Sequence, residues 1–350
     1  METATFEWAA VVPGTDVDSA FAPDFSPLRS TVHDTYEEYG RFQQHLVLLE
    51  DTVRLGHYHH AIAQARPGGV VVDVGAGTGI LSLMALRAGF EQAYLIEPSR
   101  KIATYARYML ERNKVGGRFH IIQKPLERVT TADLPPQIDL IVTETISSVI
   151  TGFGSWDTIS ILTARLSPTG TMIPSSGRLF GFLAERDYAT RSNRNGGLRF
   201  LKKHNIEVDL FFRAFRSGGN VFDKNRVNYE LASGMHQVFE VLTFDYKRQP
   251  CFDLSSTTVA ADTDKTYLGL TVYWELALGE GTPAINFTSR DPNLTAWYPY
   301  YIPFSQPIVL KAGQPIRPTI RPLPIDAPYV YAFQIVDGLS EQPLSHVLYW

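Results

Sequence analysis

The chain has 350 residues, of which 44% are hydrophobic and 12% aromatic, so it is long enough for two domains, or one large one, with a substantial core. A formal net charge of −4 excludes a global field that would attract nucleic acid or an anionic membrane. The single cysteine, Cys251, excludes a disulfide framework and a cysteine-rich metal site, and it fits a reducing compartment.

The N-terminal part of the chain carries no targeting signal that we recognise. Residues 1–30, rich in Pro and Asp, are predicted to be irregular, and residues 31–65 to be helical. No basic segment precedes an apolar stretch, and no apolar run reaches the roughly 20 residues needed to span a bilayer. We therefore expect a cytoplasmic protein with no membrane partner.

Short apolar runs alternate with helical patterns between residues 69 and 144. Strands are predicted at GVVVDVG, AYLIEPS, FHIIQKP and IDLIVTE, and helices at GILSLMALRAG and KIATYARYMLERNK. Such alternation is typical of βαβ units and a parallel sheet. We assign residues 31–174 to this α/β domain.

After Pro174 the pattern changes to β. Strands are predicted at GRLFGFLAE, QVFEVLTFDY, YLGLTVYWELAL, QPIVLKAGQPIRPTI and YVYAFQIVDG, separated by Gly, Pro, Asn and Asp turns. This pattern predicts a sandwich or barrel over residues 175–350. An insertion between these strands has a basic segment, residues 191–204, that fits a solvated loop better than an RNA contact. We expect no nucleic-acid partner.

The stretch VVVDVGAGTGILSL, residues 70–83, predicts a strand, a glycine turn and a helix that together face a nucleotide. Its glycines stand at every second position: Gly75, Gly77 and Gly79. Because Ile80 occupies the sixth position of the G-x-G-x-x-G fingerprint, the diphosphate-binding pattern fails. Asp73 would repel a diphosphate but could orient an ammonium group.

S-adenosylmethionine carries an amino acid in place of a diphosphate, so these residues favour it over a dinucleotide. Glu97 ends the next strand, about 20 residues further on, where an acid can accept hydrogen bonds from both ribose hydroxyls. The alternative is a glycine-rich turn that binds no ligand.

Several segments of the sequence together resemble a known enzyme family. VVDVGAGTGIL, LIEPS and the upstream YEEYGRFQQHLVLLEDTVRLGHY are similar to the protein arginine methyltransferases, over roughly residues 36–322. The resemblance implies an α/β Rossmann-like class I methyltransferase domain followed by an all-β barrel domain. It also implies a helical dimerisation arm at about residues 188–222, a homodimer, and methyl transfer from S-adenosylmethionine to an arginine guanidinium.

The resemblance assigns roles to residues around the cofactor. In the family a Tyr-x-x-Phe-x-x-His segment and a later Arg form a helical lid, and the matching residues here are Tyr39, Phe42, His45 and Arg54. Arg54 would pair with the cofactor carboxylate, Phe42 and His45 would line the pocket, and Tyr39 would face the substrate. Leu126 and Glu127, in KPLERV, match the position that meets the adenine. Asp73 and the three glycines would hold the methionine part, and Glu97 the ribose.

The loop LIVTETISSVITGFGSWDT, residues 140–158, matches the family's substrate hairpin, in which two glutamates grip the guanidinium. Glu144 matches the first and is the predicted catalytic residue, whereas Phe153 occupies the second position. Either Glu144 works alone or Asp157 substitutes for the missing acid, unless Asp157 is a solvated surface acid. Phe153 either stacks on the guanidinium plane or packs in the core.

A second departure lies in the β half. The family has a Thr-His-Trp triplet beside the active site, and this chain has Thr295, Ala296 and Trp297. Trp297 either walls the substrate cleft or packs within the barrel. Because the imidazole is missing, a histidine-assisted proton relay from this loop is not available.

The altered loop, with no added substrate-recruiting domain in this sequence, favours a small substrate. We therefore expect methylation of free L-arginine in a natural-product (antibiotic) pathway, with protein arginine as the alternative. A second alternative, from another class, is a non-catalytic binding scaffold with a methyltransferase fold. His57 and His60 share a predicted helical face, but no acid or cysteine beside them completes a metal site, so no metal is expected.

Overall fold

The computed structural model of the chain describes residues 42–145, 156–188, 224–246, 252–254, 258–261, 263–279, 285–286, 299–322, 331–340 and 343–349. The α-helices in these ranges are α1 (Phe42–Glu50), α2 (Thr52–Gln64), α3 (Ile80–Arg87), α4 (Arg100–Arg112), α5 (Trp156–Thr163) and α6 (Lys224–Ala232), with a 3₁₀ turn at Leu126–Arg128. The first five strands are β1 (Val70–Val74), β2 (Gln92–Ile96), β3 (Phe119–Ile122), β4 (Ile138–Thr143) and β5 (Leu166–Ile173). Ten more follow: β6 (Ser176–Ala184), β7 (Phe239–Asp245), β8 (Phe252–Leu254), β9 (Val259–Ala260), β10 (Lys265–Ala277), β11 (Ile285–Asn286), β12 (Tyr300–Leu310), β13 (Pro315–Pro322), β14 (Tyr331–Asp337) and β15 (Pro343–Tyr349).

The first five strands form a parallel sheet in the order β3-β2-β1-β4-β5. Asp73 of β1 is level with Leu95 of β2 on one side and with Val142 of β4 on the other. From β1 the chain builds outward to β2 and β3, then crosses back to β4 and β5. The carboxyl ends of β1 and β4 therefore form the topological switch point, where sheets of this kind bind ligands.

Helices cover this sheet with apolar faces. In α4 the buried side chains are Ile102, Ala103, Ala106 and Leu110, which lie on one side of a 3.6-residue repeat. Ser99 begins the helix, and its hydroxyl accepts a hydrogen bond from the N–H of Ile102 at 3.3 Å. The capped end of α4 therefore stands next to the carboxyl end of β2.

The second half of the chain is built of antiparallel sheets. One runs in the order β11-β10-β6-β7-β8, with β12 also paired to β10, and the other runs β15-β14-β13-β9. Trp274, on the long strand β10, is almost completely buried between neighbours. The change from parallel to antiparallel pairing falls between Ile173 and Ser176.

The fold class predicted from the sequence is confirmed: a Rossmann-like parallel core is followed by an antiparallel β-rich half. Five of the described strands were not predicted: β5, β8, β9, β11 and β15. The described part of the predicted helical stretch, residues 42–65, contains two helices separated at Asp51. The predicted arm at residues 188–222 lies outside the described residues except for Tyr188, and the domain boundaries stay predictions. Within the described ranges no helix is long and apolar enough to cross a membrane.

Candidate active site

The glycine turn after β1 has the backbone that only glycine adopts easily. Gly75, Gly77 and Gly79 have φ angles of +68°, +54° and +76°. An added Cβ at Gly77 would lie 3.0 Å from Cε1 of His45, and one at Gly75 would lie 2.3 Å from a methyl carbon of Thr145. The turn is therefore closed in on two sides, and it lies at the switch point.

Glu97 braces this turn from the end of β2. Its Oε2 accepts a hydrogen bond from the N–H of Gly77 at 3.0 Å, and its Oε1 accepts one from the N–H of Ser99 at 2.8 Å. Burial raises the pKa of Glu97 to about 7, although these two N–H groups act in the opposite direction. The predicted ribose acid thus lies beside the glycine turn, as its predicted role requires.

Asp73 is buried at the end of β1. Its Oδ2 accepts hydrogen bonds from the N–H of Ser82 at 3.0 Å and from the Ser82 hydroxyl at 2.7 Å. Burial raises the pKa of Asp73 to about 6 despite these bonds. One carboxylate oxygen thus ties β1 to α3, a role that the sequence did not suggest. Its predicted contact with an ammonium group stays a prediction.

Asp51, which is fully buried, is the N-cap residue directly before α2. Its Oδ1 accepts a hydrogen bond from the N–H of Arg54 at 2.9 Å, as an N-cap residue does. The Arg54 side chain is also buried, and its Nη2 donates to the carbonyl oxygen of Leu48. Helix capping therefore presents the Arg54 guanidinium at the carboxyl edge of the sheet, where the parallel strands end.

Arg54 meets Glu144 at this edge. Nη1 of Arg54 lies 3.1 Å from Oε2 of Glu144, whose side chain is 15% exposed. Nε of Arg54 has no hydrogen-bond partner in the described part of the chain, so the guanidinium keeps an unused donor there. The residue predicted to hold the cofactor carboxylate and the predicted catalytic acid are thus in direct contact.

The other predicted cofactor residues differ in their burial and in their contacts. His45 is buried against Gly77, and the ring of Phe42 stacks on Tyr105 with centroids 4.4 Å apart. Leu126 is buried in the 3₁₀ turn, whereas Glu127 next to it is exposed. The described geometry therefore groups His45 with the glycine turn, and the predicted contact of Glu127 with the adenine stays a prediction.

Four predicted substrate residues fall where the structure describes little or nothing. Tyr39, Phe153 and Trp297 lie outside the described residues. Asp157 lies in α5, but its side chain is outside the described part, so its proposed substitution for the second glutamate stays a prediction.

Sequence reasoning missed three residues that build the site: Asp51, Tyr58 and Thr143. The hydroxyl of buried Tyr58 donates to the carbonyl oxygen of Thr143 at 2.8 Å, directly before Glu144. Asp51 carried a usable signal, because an Asp before a helical pattern is a common N-cap. Tyr58 carried none, since its partner is distant in the chain.

Among the described residues, no three His, Cys, Asp or Glu side chains form a group that could hold a metal ion. The polar groups that do converge are a guanidinium, two buried carboxylates and backbone N–H groups. Chemically, this set can hold a ligand that has a carboxylate at one end and hydroxyls at the other.

Comparison with known proteins relates the chain to methyltransferases. The family model described as ribosomal protein L11 methyltransferase (PrmA) matches residues 55–194. The probable histone-arginine methyltransferase 1.4 of Arabidopsis thaliana is 28% identical over 292 residues, which cover 80% of this chain and 54% of the relative. The histone-arginine methyltransferase CARMER of Anopheles gambiae is 26% identical over 300 residues, covering 81% and 46%. The chain therefore spans about half the length of the curated relatives it matches.

Solved structures show the same fold at low sequence identity. Arabidopsis thaliana protein arginine methyltransferase 10, in an open conformation, superposes with a TM-score of 0.64 at 17% identity, covering 90% of this chain and 99% of that one. The Trypanosoma brucei PRMT1 enzyme-prozyme heterotetrameric complex with AdoHcy gives a TM-score of 0.60 at 18% identity, covering 89% and 98%. Both neighbours extend over nearly the whole of this chain.

Proposed function

We propose that the chain is a class I S-adenosylmethionine-dependent enzyme of the protein arginine methyltransferase family, and that it methylates a guanidino nitrogen of protein arginine. The observation that carries the proposal is the meeting of Arg54, Glu144 and the glycine turn at one sheet edge. The edge supplies a cation for the cofactor and an acid for the substrate within one site.

The residues present fit S-adenosylmethionine. The turn at Gly75 and Gly77 leaves no room for a Cβ, so its backbone can approach a ligand closely. The buried carboxylate of Glu97 stands where ribose hydroxyls would donate, and Arg54 has the fork geometry that matches a carboxylate. When bound, the cofactor supplies an electrophilic methyl group on a sulfonium sulfur.

Glu144 is the residue that prepares the substrate. An arginine guanidinium is almost always protonated, and its delocalised charge makes its nitrogens poor nucleophiles. Hydrogen bonds to the Glu144 carboxylate would concentrate that charge on one side and turn another nitrogen's lone pair toward the methyl group. That nitrogen would form the new N–C bond as the methyl–sulfur bond breaks with its electron pair left on sulfur, and the nitrogen would then release one proton to solvent. Alignment of this kind supplies up to roughly 7–11 kcal/mol in favourable systems.

The proposed substrate differs from the one that the sequence led us to expect. That expectation, free L-arginine in an antibiotic pathway, gains no support from the comparisons, because the curated relatives are named as histone-arginine methyltransferases. We therefore propose arginine within a protein as the substrate. Free L-arginine remains the alternative, and the reason for it is Phe153 in place of the second glutamate.

We further propose a homodimer. Helices α1 and α4 carry four exposed apolar or aromatic side chains, which we call the tyrosine patch: Leu46 (41% exposed), Val47 (40%), Tyr105 (40%) and Tyr108 (61%). The stacking of Phe42 on Tyr105 holds the two helices together. Exposed apolar patches mark interaction surfaces, and the family resemblance suggests that the arm of a second copy, at about residues 188–222, covers this one.

Mass spectrometry of the purified protein incubated with S-adenosylmethionine tests the function. The expected result is a mass gain of one methyl group on an Arg-rich histone peptide and no gain on free L-arginine. A gain on free L-arginine alone would move the assignment to the small substrate. Tight cofactor binding without turnover on either acceptor would favour the scaffold.

A further inference from the structure

One turn of α2 carries two contacts to the end of β4. Arg54 pairs with the Glu144 side chain at 3.1 Å, and the hydroxyl of Tyr58 donates to the carbonyl oxygen of Thr143 at 2.8 Å. Residues four apart on a helix face the same direction. The helix that holds the cation therefore also holds the peptide directly before the predicted catalytic acid.

The end of β4 is tied to the glycine turn as well. The Thr143 hydroxyl donates to the carbonyl oxygen of Val74 at 3.2 Å and lies 2.9 Å from the hydroxyl of Thr145. The methyl group of Thr145 in turn occupies the space beside Gly75. Glu144 thus lies between two residues whose positions depend on α2 and on β1.

We propose that Tyr58 is a positioning residue for Glu144: its hydroxyl holds the last peptide of β4 against α2, and so sets the acid at its working distance from Arg54. This inference rests on the proposed function, since it assigns Glu144 to the substrate guanidinium. Through Tyr58, a movement of α2 on cofactor binding would be passed to the acid that aligns the substrate.

The physical reason is the rigidity of a single buried hydrogen bond at a strand end. Tyr58 is fully buried, and burial keeps its pKa well above the usual range, so its hydroxyl remains a donor. Thr143 is the last residue of β4, and among the described strands no pairing holds the chain beyond it. Without the hydroxyl, the Thr143 carbonyl loses this partner and Glu144 can shift.

The first test is Tyr58→Phe, which removes only the hydroxyl, with Tyr273→Phe in the antiparallel half as the control. Initial rates give kcat and KM for a histone peptide, and calorimetry gives the cofactor Kd. We expect Tyr58→Phe to lower kcat about tenfold or more, since small misplacements are costly, with the cofactor Kd changed less than about twofold. Tyr273→Phe leaves both values unchanged.

The second test does not need turnover. In the wild type, Glu144 and the cofactor carboxylate share Arg54, so Glu144→Gln is expected to tighten cofactor binding roughly threefold. In the Tyr58→Phe background that gain should shrink, because Glu144 no longer stands at its fixed distance. Calorimetric Kd values for the four proteins of this double-mutant cycle measure the coupling.

The results of the two tests distinguish a positioning role of Tyr58 from a purely structural one. A fall in kcat together with a non-additive cycle supports the inference. A lower melting temperature with unchanged kcat and an additive cycle makes Tyr58 a purely structural residue and overturns it. A cofactor Kd that rises as much as kcat falls also overturns it. If the wild type methylates no arginine at all, the proposed function fails, and the binding cycle alone decides the role of Tyr58.

Discussion

The guanidinium of Arg54 and the carboxylate of Glu144 form an ion pair, with Nη1 3.1 Å from Oε2. The two residues are far apart in the chain, and the helix cap at Asp51 together with the end of β4 brings them into contact. A guanidinium has five donors in a fixed fork, so Arg54 can hold Glu144 and still present N–H groups to a second carboxylate. In the proposed function, the pair would therefore join the cofactor and substrate ends of one site.

Glu144→Gln should reduce methyl transfer by at least about a hundredfold, because a neutral amide does not polarise the guanidinium. Cofactor binding should persist, measured by calorimetry beside the mass-spectrometric assay. Glu275→Gln is the matched control: Glu275 is similarly exposed and pairs with Arg178 at 2.7 Å in the antiparallel half. Full turnover in Glu144→Gln would remove that residue from the mechanism.

Arg54→Lys should weaken cofactor binding about tenfold or more, because a lysine keeps the positive charge but cannot offer two parallel N–H groups to a carboxylate. Calorimetric Kd values for S-adenosylmethionine and for an analogue without the carboxylate measure the effect. An equal loss for both ligands would show that Arg54 does not contact the carboxylate.

Gly77→Ala should abolish cofactor binding. The new Cβ would stand 3.0 Å from Cε1 of His45 at a φ of +54°, which closes the turn against the ligand. Gly117→Ala is the control for backbone strain alone. Gly117 has a φ of +80°, and a Cβ added there would have no atom within 4 Å. Each change should cost about 1–2 kcal/mol of stability from the left-handed backbone. Normal cofactor affinity in Gly77→Ala would refute the assigned turn.

Cofactor affinity should rise with pH through about 7, where Glu97 ionises. Ribose hydroxyls donate best to the carboxylate, so deprotonation favours binding. Titration calorimetry on either side of this pKa of about 7 measures the change, and Glu97→Gln should flatten the profile. A slope that survives in Glu97→Gln would assign the titration to another group.

The raised pKa of Glu97 also predicts how the stability of the folded protein depends on pH. The folded protein keeps a proton on Glu97 up to about pH 7, whereas an unfolded chain releases it near the ordinary value of 4.5. The contribution of Glu97 to the free energy of unfolding is therefore fully present below pH 4.5, and it is lost as the pH rises through about 7. Denaturant unfolding of the cofactor-free protein should show the loss, and Glu97→Gln should reduce it; Asp73, whose pKa burial raises to about 6, contributes in the same direction.

Tyr108→Arg should convert the proposed dimer to a monomer, because it puts a charge in the tyrosine patch. Light scattering coupled to size exclusion measures the mass, and Leu339→Arg, at a side chain that is 82% exposed in the antiparallel half, is the control. An unchanged dimer in Tyr108→Arg would move the interface elsewhere.

Much of the fold was readable because burial on both faces leaves a plain signal. The strands β1 and β4 are nearly continuous apolar runs, as parallel strands covered by helices must be. Strand β5 was missed because LSPTGTMI contains Pro168 and Gly170, which are tolerated only because β5 lies at the sheet edge. The break between α1 and α2 was missed because the amphipathic pattern continues across Asp51.

By itself the sequence determined the kinds of groups at the site: glycines after a buried strand, an acid at the end of the next one, and an arginine in an upstream helix. These are local features, since they depend on backbone freedom and on the order of strands and helices. Only the tertiary structure decided which groups meet. The pairing of Arg54 with Glu144, the bond from Tyr58 to Thr143 and the tie between Asp73 and Ser82 join distant or differently folded segments. Such contacts follow from how α2 and α3 pack on the sheet, and no periodicity in the chain records them.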